Sequence, residues 1–329
     1  MNIASKISIS MTVYNGQRYI RDQLESFPVQ TRLPDELIVC DDGSSDRSVQ
    51  MVEEFARRAP FPVRIYVNER NLGITLNTER AINACSGNLI VISDFDDVWY
   101  RDKLETIDKR MDEYPDVGFI VSDADLVDDQ LRPLGRRLFE AKRLPALSLS
   151  EDTLIDARHF GRVPINGMSL AFRSEFFPLV SPLPDSDAFR KWGIYDYLII
   201  NVLLLSGLTK GLLVSKKLGA YRQHSKQMVG AVDISKASRL KSGWEGRRTQ
   251  SSIPMLVELI KRLSTVPTPV DPQRASLRRQ ALSHCKARCR MPTGLAVRLP
   301  KVLRELLSMR YHRFSSGTKS AVKDLFFAH

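Results

Sequence analysis

Residues 7–46 of the chain read ISISMTVYNGQRYIRDQLESFPVQTRLPDELIVCDDGSSD. The segment Ile7–Val13 alternates apolar and polar side chains and stops before the turn dipeptide Asn15-Gly16, a pattern typical of a β-strand. Residues 17–27 have helical character, and a short apolar run at 37–40 ends abruptly in acidic and small residues. This order favours two parallel strands joined by a crossover helix.

The same alternation continues to residue 92. A helix capped by Ser45 or Asp46, a strand at Val63–Val67, a helix at 76–84 and a strand at 89–92 follow in turn. The rest of the pattern predicts strands at 117–122 and 167–172, a buried helix at 192–208, and helices at about 253–263 and 301–309. We therefore predict an α/β fold with a Rossmann-like, mostly parallel sheet flanked by helices and followed by a basic helical extension.

Three of the predicted strands end in polar loops. The first ends in Thr12, Tyr14 and Asn15, the second in Asp41 and Asp42, and the fourth in a cluster of three acids, Asp94, Asp96 and Asp97. Ligands of such sheets bind outside the carboxyl ends of the strands, so we expect these loops to meet at one edge.

The acidic residues suggest a cation and a nucleotide. Packing Asp94, Asp96 and Asp97 together is unfavourable unless a cation neutralises them, and carboxylates are ligands that Mg²⁺ or Mn²⁺ prefers. The alternative is a solvated turn, which the preceding apolar strand makes less favourable. A carboxylate at Asp42 can accept hydrogen bonds from a nucleobase or ribose, and Tyr14 can stack on a base or pack in the core.

Composition sets limits on the class of protein. The chain has 329 residues, of which 43% are hydrophobic and 26% charged, values that exclude a disordered or collagen-like chain. The sequence lacks the pattern of a signal peptide and any apolar run long enough for a membrane span, which predicts a cytoplasmic protein. Four scattered cysteines predict reduced thiols rather than a disulfide scaffold, and the pair Cys285 and Cys289 lacks partners for a metal site.

Positive charge is concentrated in the last hundred residues. Residues 231–329 hold 20 Lys and Arg against 6 Asp and Glu, a net charge of +14, which leaves residues 1–230 at −3. This asymmetry predicts an anionic partner: nucleic acid, acidic lipid or a phosphorylated substrate. The dense cationic stretch comprises Arg278, Arg279, Lys286, Arg288 and Arg290. The apolar stripe Val302, Leu303, Leu306 and Leu307 suits a helix at a membrane interface and equally one that packs in a core.

Several segments together resemble the family 2 glycosyltransferases. They are residues 7–27 and 34–46 quoted above, Asn71-Leu72-Gly73, VISDFDDVWYRDK at 91–103, Asn166-Gly167-Met168, Tyr195-Asp196-Tyr197 and LGAYRQH at 218–224. The chain is most similar to the rhamnosyltransferase-like branch of bacterial polysaccharide synthesis. The resemblance covers residues 1–230 well and the tail loosely.

This resemblance implies a GT-A fold and an inverting, metal-dependent transfer of a sugar, rhamnose in this branch, from a nucleotide-sugar. The donor would be dTDP-rhamnose or a UDP-sugar, and the acceptor a lipid-linked glycan or polysaccharide. The implied donor residues are Thr12, Tyr14, Asp41, Asp42 and Asp96. The implied metal residues are Asp94, Asp96, Asp97 and His224, and the general base is Asp196. The acceptor-side residues would be Asn166, Gly167, Met168 and Trp192.

The resemblance also sets the expected organisation. Residues 1–230 would form the glycosyltransferase domain, with a nucleotide-sugar half to about 115 and an acceptor half from about 116 to 230. Residues 231–329 would form the extension, which would contact the cytoplasmic face of a membrane peripherally. Two departures concern specificity: Phe95 replaces a polar residue within the acidic motif, and Asp196 lacks the usual His before it and Trp after it.

Other readings of the same residues stay open. Asp196 can be an ordinary helix-start residue, and His224 a loop imidazole beside cations. A nucleic-acid-binding protein would use the basic tail, but the tail lacks interleaved aromatic residues and any recognised motif. A dinucleotide-dependent oxidoreductase is disfavoured because the first strand-helix turn, Tyr14-Asn15-Gly16-Gln17, has no Gly-x-Gly-x-x-Gly.

Overall fold

The computed structural model of the chain describes residues 5–141, 151–160, 163, 166–185, 195–225, 227, 244–269, 271–292, 294–315 and 317–326. Its strands are β1 (Ile7–Val13), β2 (Glu36–Asp41), β3 (Val63–Val67), β4 (Leu89–Ser93), β5 (Val98–Trp99), β6 (Val117–Val127), β7 (Pro133–Arg137), β8 (Thr153–Ile155), β9 (Leu170–Arg173) and β10 (Lys210–Arg222). Its helices are α1 (Ile20–Glu25), α2 (Ser48–Ala56), α3 (Ile74–Ala84), α4 (Lys103–Glu113), α5 (Leu138–Ala141), α6 (Tyr195–Ser206), α7 (Trp244–Thr265), α8 (Pro272–Cys289), α9 (Leu295–Leu307), α10 (Arg310–Phe314) and α11 (Thr318–Phe326).

The strands form one sheet in the order β3-β2-β1-β4-β9-β6-β10-β5, with β7 beside β6. The first four strands in this order are parallel: Met11 of β1 lies opposite Val39 of β2 and Ser93 of β4. Strand β9 runs antiparallel to both β4 and β6. The predicted α/β fold with a central, mostly parallel sheet and C-terminal helices is confirmed.

The chain divides into two compact units. The first comprises residues 1–153, 164–197 and 211–232, and the second comprises residues 154–163, 198–210 and 233–329. The division into domains at residue 230 stays a prediction.

In the first unit every residue of β1 is buried, although its sequence alternates. An alternating sequence suggests that one face of a strand is exposed, but in a parallel sheet that is covered on both sides both faces are buried. The polar side chains of β1 therefore need partners, and the Ser8 hydroxyl donates to Glu36 Oε1 at 2.5 Å. Ile7, Ile9 and Met11 belong to the main hydrophobic core.

Two predicted elements differ from the structure. The sequence predicts a strand at 167–172, but Gly167–Ser169 is a 3₁₀ turn and β9 begins only at Leu170. The Asn166 side chain accepts a hydrogen bond from the Met168 amide at 3.1 Å and so caps this turn. In the tail, the helix expected at 301–309 begins earlier, at Leu295, with Pro300 inside it, and ends at Leu307 before Met309 adopts a positive φ of 59°.

The second unit uses part of its positive charge internally. Arg278 of α8 is buried and donates to the carbonyl oxygens of Leu263, Val266 (2.7 Å) and Pro267 (2.6 Å), which satisfies the end of α7. Arg288 pairs with the buried carboxylate of Asp324 at 2.7 Å. Of the predicted cationic stretch, the residues whose side chains are exposed are Arg279, Lys286 and Arg290.

A buried polar network holds α8, α9 and the segment after α10 together. The His284 ring lies within 2.8 Å of Glu305 Oε2 through Nδ1 and within 2.8 Å of the Ser315 hydroxyl through Nε2. Its edge packs against the Tyr311 ring at a centroid distance of 4.9 Å. Burial is the main cause that lowers the pKa of His284 below its ordinary value of 6.5, and the Arg288 charge acts in the same direction although Glu305 opposes it.

The stability of this unit is expected to fall in mild acid. Because the pKa of His284 is lower in the folded than in the unfolded state, the unfolded state binds the proton first as the pH drops below 6.5. The free energy of unfolding should then decrease by up to about 1.4 kcal/mol per pH unit. Urea unfolding followed by circular dichroism between pH 8 and pH 5 measures this slope, and His284→Gln should flatten it while the partly exposed His312→Gln should not. An unchanged slope in His284→Gln would assign the acid sensitivity to other groups.

Candidate active site

The polar loops predicted to converge do leave the same edge of the sheet. In the parallel registers Val13 lies opposite Asp41, and Met11 lies opposite Ser93, so β1, β2 and β4 end side by side. The first two loops interlock, because the Asn15 amide donates to Ser44 Oγ at 2.8 Å and Asn15 Oδ1 accepts from the Ser45 amide at 2.9 Å. This edge is the candidate site.

On the predicted nucleotide side, both acids are buried and hydrogen-bonded. Asp41 accepts from the amide and the hydroxyl of Ser44 at 2.7 and 2.5 Å. Asp42 Oδ1 accepts from Asn68 Nδ2 and the Leu72 amide, both at 2.7 Å, and Oδ2 accepts from the Gly73 amide at 2.9 Å. Asp42 thus shapes the loop between β3 and α3, whose Gly73 has a φ of 83°.

This loop borders a cavity of about 280 Å³ lined by Asn68, Arg70, Leu72 and Arg80, among others. At the end of β1, Thr12 is buried whereas Tyr14 exposes 47% of its surface. The alternative that Tyr14 packs in the core is therefore wrong, and its ring is available for stacking. Direct contact of a nucleotide with Thr12, Tyr14, Asp41 or Asp42 stays a prediction.

The acidic cluster follows β4. Asp97 is fully buried, and its Oδ1 accepts the Arg222 amide at 2.9 Å. Its Oδ2 has no hydrogen-bond partner within the described part of the chain. Burial and the neighbouring carboxylates of Asp96 and Asp94 hold the pKa of Asp97 well above its ordinary range. A buried carboxylate oxygen without a donor fits a cation as its missing partner.

Asp96 and His224 form a second part of the cluster. Asp96 Oδ2 lies 2.9 Å from His224 Nε2, and the His224 ring packs on the Tyr19 ring at a centroid distance of 4.6 Å. The Tyr19 hydroxyl in turn contacts the Asp129 carboxylate. These contacts fix the imidazole beside Asp96, and its contact with a metal stays a prediction.

Asp94 faces the predicted acceptor side. A Cβ atom placed on Gly167 would lie 2.3 Å from the Tyr195 hydroxyl and 3.2 Å from Asp94 Oδ2, so both groups lie against this glycine. Burial, followed by the charges of Asp96 and Asp196, raises the pKa of Asp94 to about 7. Asp196 lies in the first turn of α6, where the helix N-terminus stabilises a carboxylate.

The remaining acceptor-side residues support this arrangement from the core. Asn166 and Met168 are buried, and the Asn166 side chain hydrogen-bonds the Tyr221 hydroxyl. Burial, followed by the Asp97 charge, raises the pKa of Tyr221 well above its ordinary value, so its hydroxyl stays neutral. Trp192 lies outside the described residues.

Sequence reasoning assigned no role to two buried cations beside the acids. Lys103 is fully buried, donates from Nζ to the Met168 carbonyl at 2.6 Å and lies 4.5 Å from the Trp99 ring centroid. Burial lowers the pKa of Lys103 to about 7, against the opposing effect of Asp97 and Asp94. Its position in the first turn of a helix gave no signal of this location.

Arg222 is the other cation. Its guanidinium donates to the carbonyls of Asp96 and Asp129 and to Asp22 Oδ2, each at 2.7 Å. It also lies 4.8 Å from the centroid of the Tyr19 ring. Arg222 therefore fixes the backbone of the acidic loop, and its closeness to His224 along the chain is the only signal of this role in the sequence.

The arrangement does not contain a completed metal centre. Within the described residues, no three or more His, Cys, Asp or Glu side chains are already grouped as ligands. Asp96 and His224 of the predicted set are nevertheless in contact, and the unpartnered oxygen of the neighbouring Asp97 would fit a cation. Carboxylates and one imidazole are a set of metal ligands that suits Mn²⁺ or Mg²⁺.

Comparison with known proteins gives this arrangement a fold class. Over 86% of the chain, the fold matches 71% of S. aureus TarS residues 1–349 in complex with UDP, with a TM-score of 0.57 at 14% identity. A mannosyltransferase of Pyrobaculum calidifontis, in complex with GDP-Man and Mn²⁺, matches 98% of the chain over 86% of its own, with a TM-score of 0.53 at 15% identity. The fold is therefore of the GT-A class, as predicted.

Sequence comparison points in the same direction. Residues 8–162 match the family described as Glycosyl transferase family 2. Glycosyltransferase GlyA of Streptococcus pneumoniae is 34% identical over 35% of the chain and 16% of its own length. An uncharacterised glycosyltransferase of Nostoc is 28% identical over 67% of the chain and 65% of its length.

A third relative has a more specific name. An Escherichia coli protein named UDP-Glc:alpha-D-GlcNAc-diphosphoundecaprenol beta-1,3-glucosyltransferase WfgD is 35% identical over 30% of the chain and 38% of its own length. In each of these relatives the match covers less than two thirds of the relative.

Proposed function

We propose that this protein is an inverting glycosyltransferase that moves one sugar from a nucleoside diphosphate sugar to an acceptor hydroxyl in polysaccharide synthesis. The observation that carries the proposal is the meeting of Asp94, Asp96 and Asp97 with Asp196 at the edge of a GT-A sheet. The charges of Asp96 and Asp196 both raise the pKa of Asp94, which supports a single site.

In the proposed reaction Asp196 is the general base. Its carboxylate takes the proton of the acceptor hydroxyl while the acceptor oxygen forms a bond to the anomeric carbon of the donor. The bond from that carbon to the diphosphate oxygen breaks on the opposite face, and its electron pair leaves with the nucleoside diphosphate. The position of Asp196 in the first turn of α6 favours the ionised form that this step requires.

Asp96, Asp97 and His224 would hold a divalent cation, Mg²⁺ or Mn²⁺, with Asp94 beside them. When bound, the cation supplies charge compensation for the leaving diphosphate. The buried Asp97 oxygen without a donor supports this assignment. Arg222 keeps the loop in place through its bond to the Asp96 carbonyl.

The donor is proposed as dTDP-rhamnose on the sequence resemblance, with a UDP-sugar as the alternative. The UDP-sugar alternative is supported by the TarS complex with UDP and by the name of the E. coli relative. Asn166, Gly167 and Met168 would border the acceptor, which we propose is a lipid-linked glycan or polysaccharide at the cytoplasmic face of a membrane.

Thermal unfolding with a panel of nucleotide-sugars, each with and without Mn²⁺, tests the proposal. A donor present at 100 times its Kd is expected to raise the Tm of a domain of this size by about 5–10 °C. The true donor should stand out from the panel, and its shift should depend on Mn²⁺. No shift with any nucleotide-sugar, together with salt-dependent binding to DNA or RNA, would instead favour a nucleic-acid-binding protein.

A further inference from the structure

Helix α9 carries a row of leucines on its outer surface. Leu295, Leu299, Leu303 and Leu307 recur every four residues, a spacing that places them along one side of a helix. All four are exposed, and Leu307 exposes 82% of its surface. We call these four residues the leucine stripe. The sequence predicted a different stripe on this helix, of which Val302 is buried and Leu306 is partly buried, so only Leu303 and Leu307 belong to both.

The opposite side of α9 is fixed in the second unit. Arg298, Val302 and Glu305 are buried. Arg298 donates to the carbonyls of Pro292 at 2.7 Å and Leu325 at 3.0 Å, and Glu305 contacts His284 at 2.8 Å and Arg310 at 2.7 Å. A rotation of α9 about its axis that buried the leucines would break these polar contacts. The leucine stripe is therefore held outward.

Cations accompany the leucine stripe. Lys301 and Arg304 of α9 are exposed, and neither is in an ion pair within the described residues. The nearby acids do not offset them, because Glu305 and Asp324 are buried and already paired with arginines. Exposed leucines beside uncompensated cations on one helix are typical of a helix that lies in a membrane interface.

We propose that α9 docks on a membrane containing anionic lipids, with the leucine stripe in the acyl boundary and Lys301 and Arg304 at the headgroups. A second copy of the chain is a poorer occupant, because a symmetric contact would bring the same cations together. Among the described residues, none of the helices is long and apolar enough to cross a bilayer. The inference does not depend on the donor, the acceptor or catalysis.

Sedimentation of the full chain with phosphatidylcholine vesicles, with or without phosphatidylglycerol, tests this surface. The wild-type chain should bind the anionic vesicles and lose binding at high salt. The variant Leu299→Asn/Leu303→Asn/Leu307→Asn should bind about 100-fold more weakly. Its matched control, Leu134→Asn/Leu154→Asn/Val257→Asn, removes three leucine or valine side chains of similar exposure elsewhere and should bind as the wild type does.

Two double variants test the contribution of the cations. Lys301→Gln/Arg304→Gln should weaken binding to anionic vesicles about tenfold or more, whereas Arg57→Gln/Arg136→Gln, which removes two exposed arginines of the first unit, should not. Light scattering after gel filtration, and the thermal shift with donor, check each variant for oligomeric state and fold. Equal vesicle binding by the leucine variant and the wild type would overturn the proposal. So would a wild-type dimer that the leucine changes convert to a monomer while no vesicle binding is seen. A failed donor screen would leave the vesicle result unaffected.

Discussion

Asp196→Asn is expected to lower kcat for sugar transfer by about 10²–10⁴-fold, the usual contribution of a positioned general base. Asparagine keeps the shape of the side chain and its place in the first turn of α6, but it cannot take the proton of the acceptor hydroxyl. Donor affinity should change little, because the charge of Asp196 acts on Asp94, whereas Asp42 is bonded within the loop between β3 and α3. Release of nucleoside diphosphate with saturating donor and acceptor measures kcat, and calorimetric titration with donor measures affinity.

The control for this prediction is Asp112→Asn, which removes a carboxylate from an exposed position on α4. It should retain the wild-type kcat. If Asp196→Asn also retained near-normal turnover, the assignment of the base would be wrong. If it lost donor affinity together with turnover, Asp196 would act in donor binding.

The convergence of the strand ends could be predicted from sequence because it depends on local signals. Apolar runs that stop at Asp41 and Asp94 mark strand ends, and parallel pairing brings such ends together. No tertiary detail is needed for that step. The same signals wrongly predict a strand that begins at residue 167. The hydrogen bond from the Met168 amide to the Asn166 side chain caps a turn there, and β9 begins only at Leu170.

The parts that could not be predicted depend on contacts between distant residues. Lys103 has the sequence of an ordinary first-turn residue, and only the fold buries it against the Met168 carbonyl, 65 residues away. Arg222 reaches Asp22, 200 residues earlier in the chain. In the tail, charge alone did not distinguish Arg278, which satisfies the end of α7, from exposed Arg279. A count of cations therefore overstated the free positive surface of α8.

Asp97→Asn is expected to reduce turnover by about 10³-fold and, in the opposite direction, to stabilise the protein without metal. A carboxyl group whose pKa is raised by folding destabilises the fold as the pH rises above its ordinary value of 3.8, because the unfolded state then releases its proton first. Asparagine removes this cost, so the free energy of unfolding at pH 7.5 should rise by about 1 kcal/mol or more.

The response to Mn²⁺ distinguishes a metal-binding role of Asp97 from a purely structural role. In the wild type, Mn²⁺ should raise the Tm and support turnover, since the cation would meet the unpartnered Asp97 oxygen. In Asp97→Asn both responses should be lost although the variant is the more stable protein without metal.

Asp123→Asn is the matched control, because Asp123 is equally buried but pairs with Arg137 and accepts the Phe139 amide at 2.9 Å. That change should keep the Mn²⁺ response. An Asp97→Asn protein that still bound Mn²⁺ and turned over normally would mean that the acidic cluster is structural. Charge compensation at the diphosphate would then come from elsewhere, with Lys103 and Arg222 as the buried cations beside the cluster.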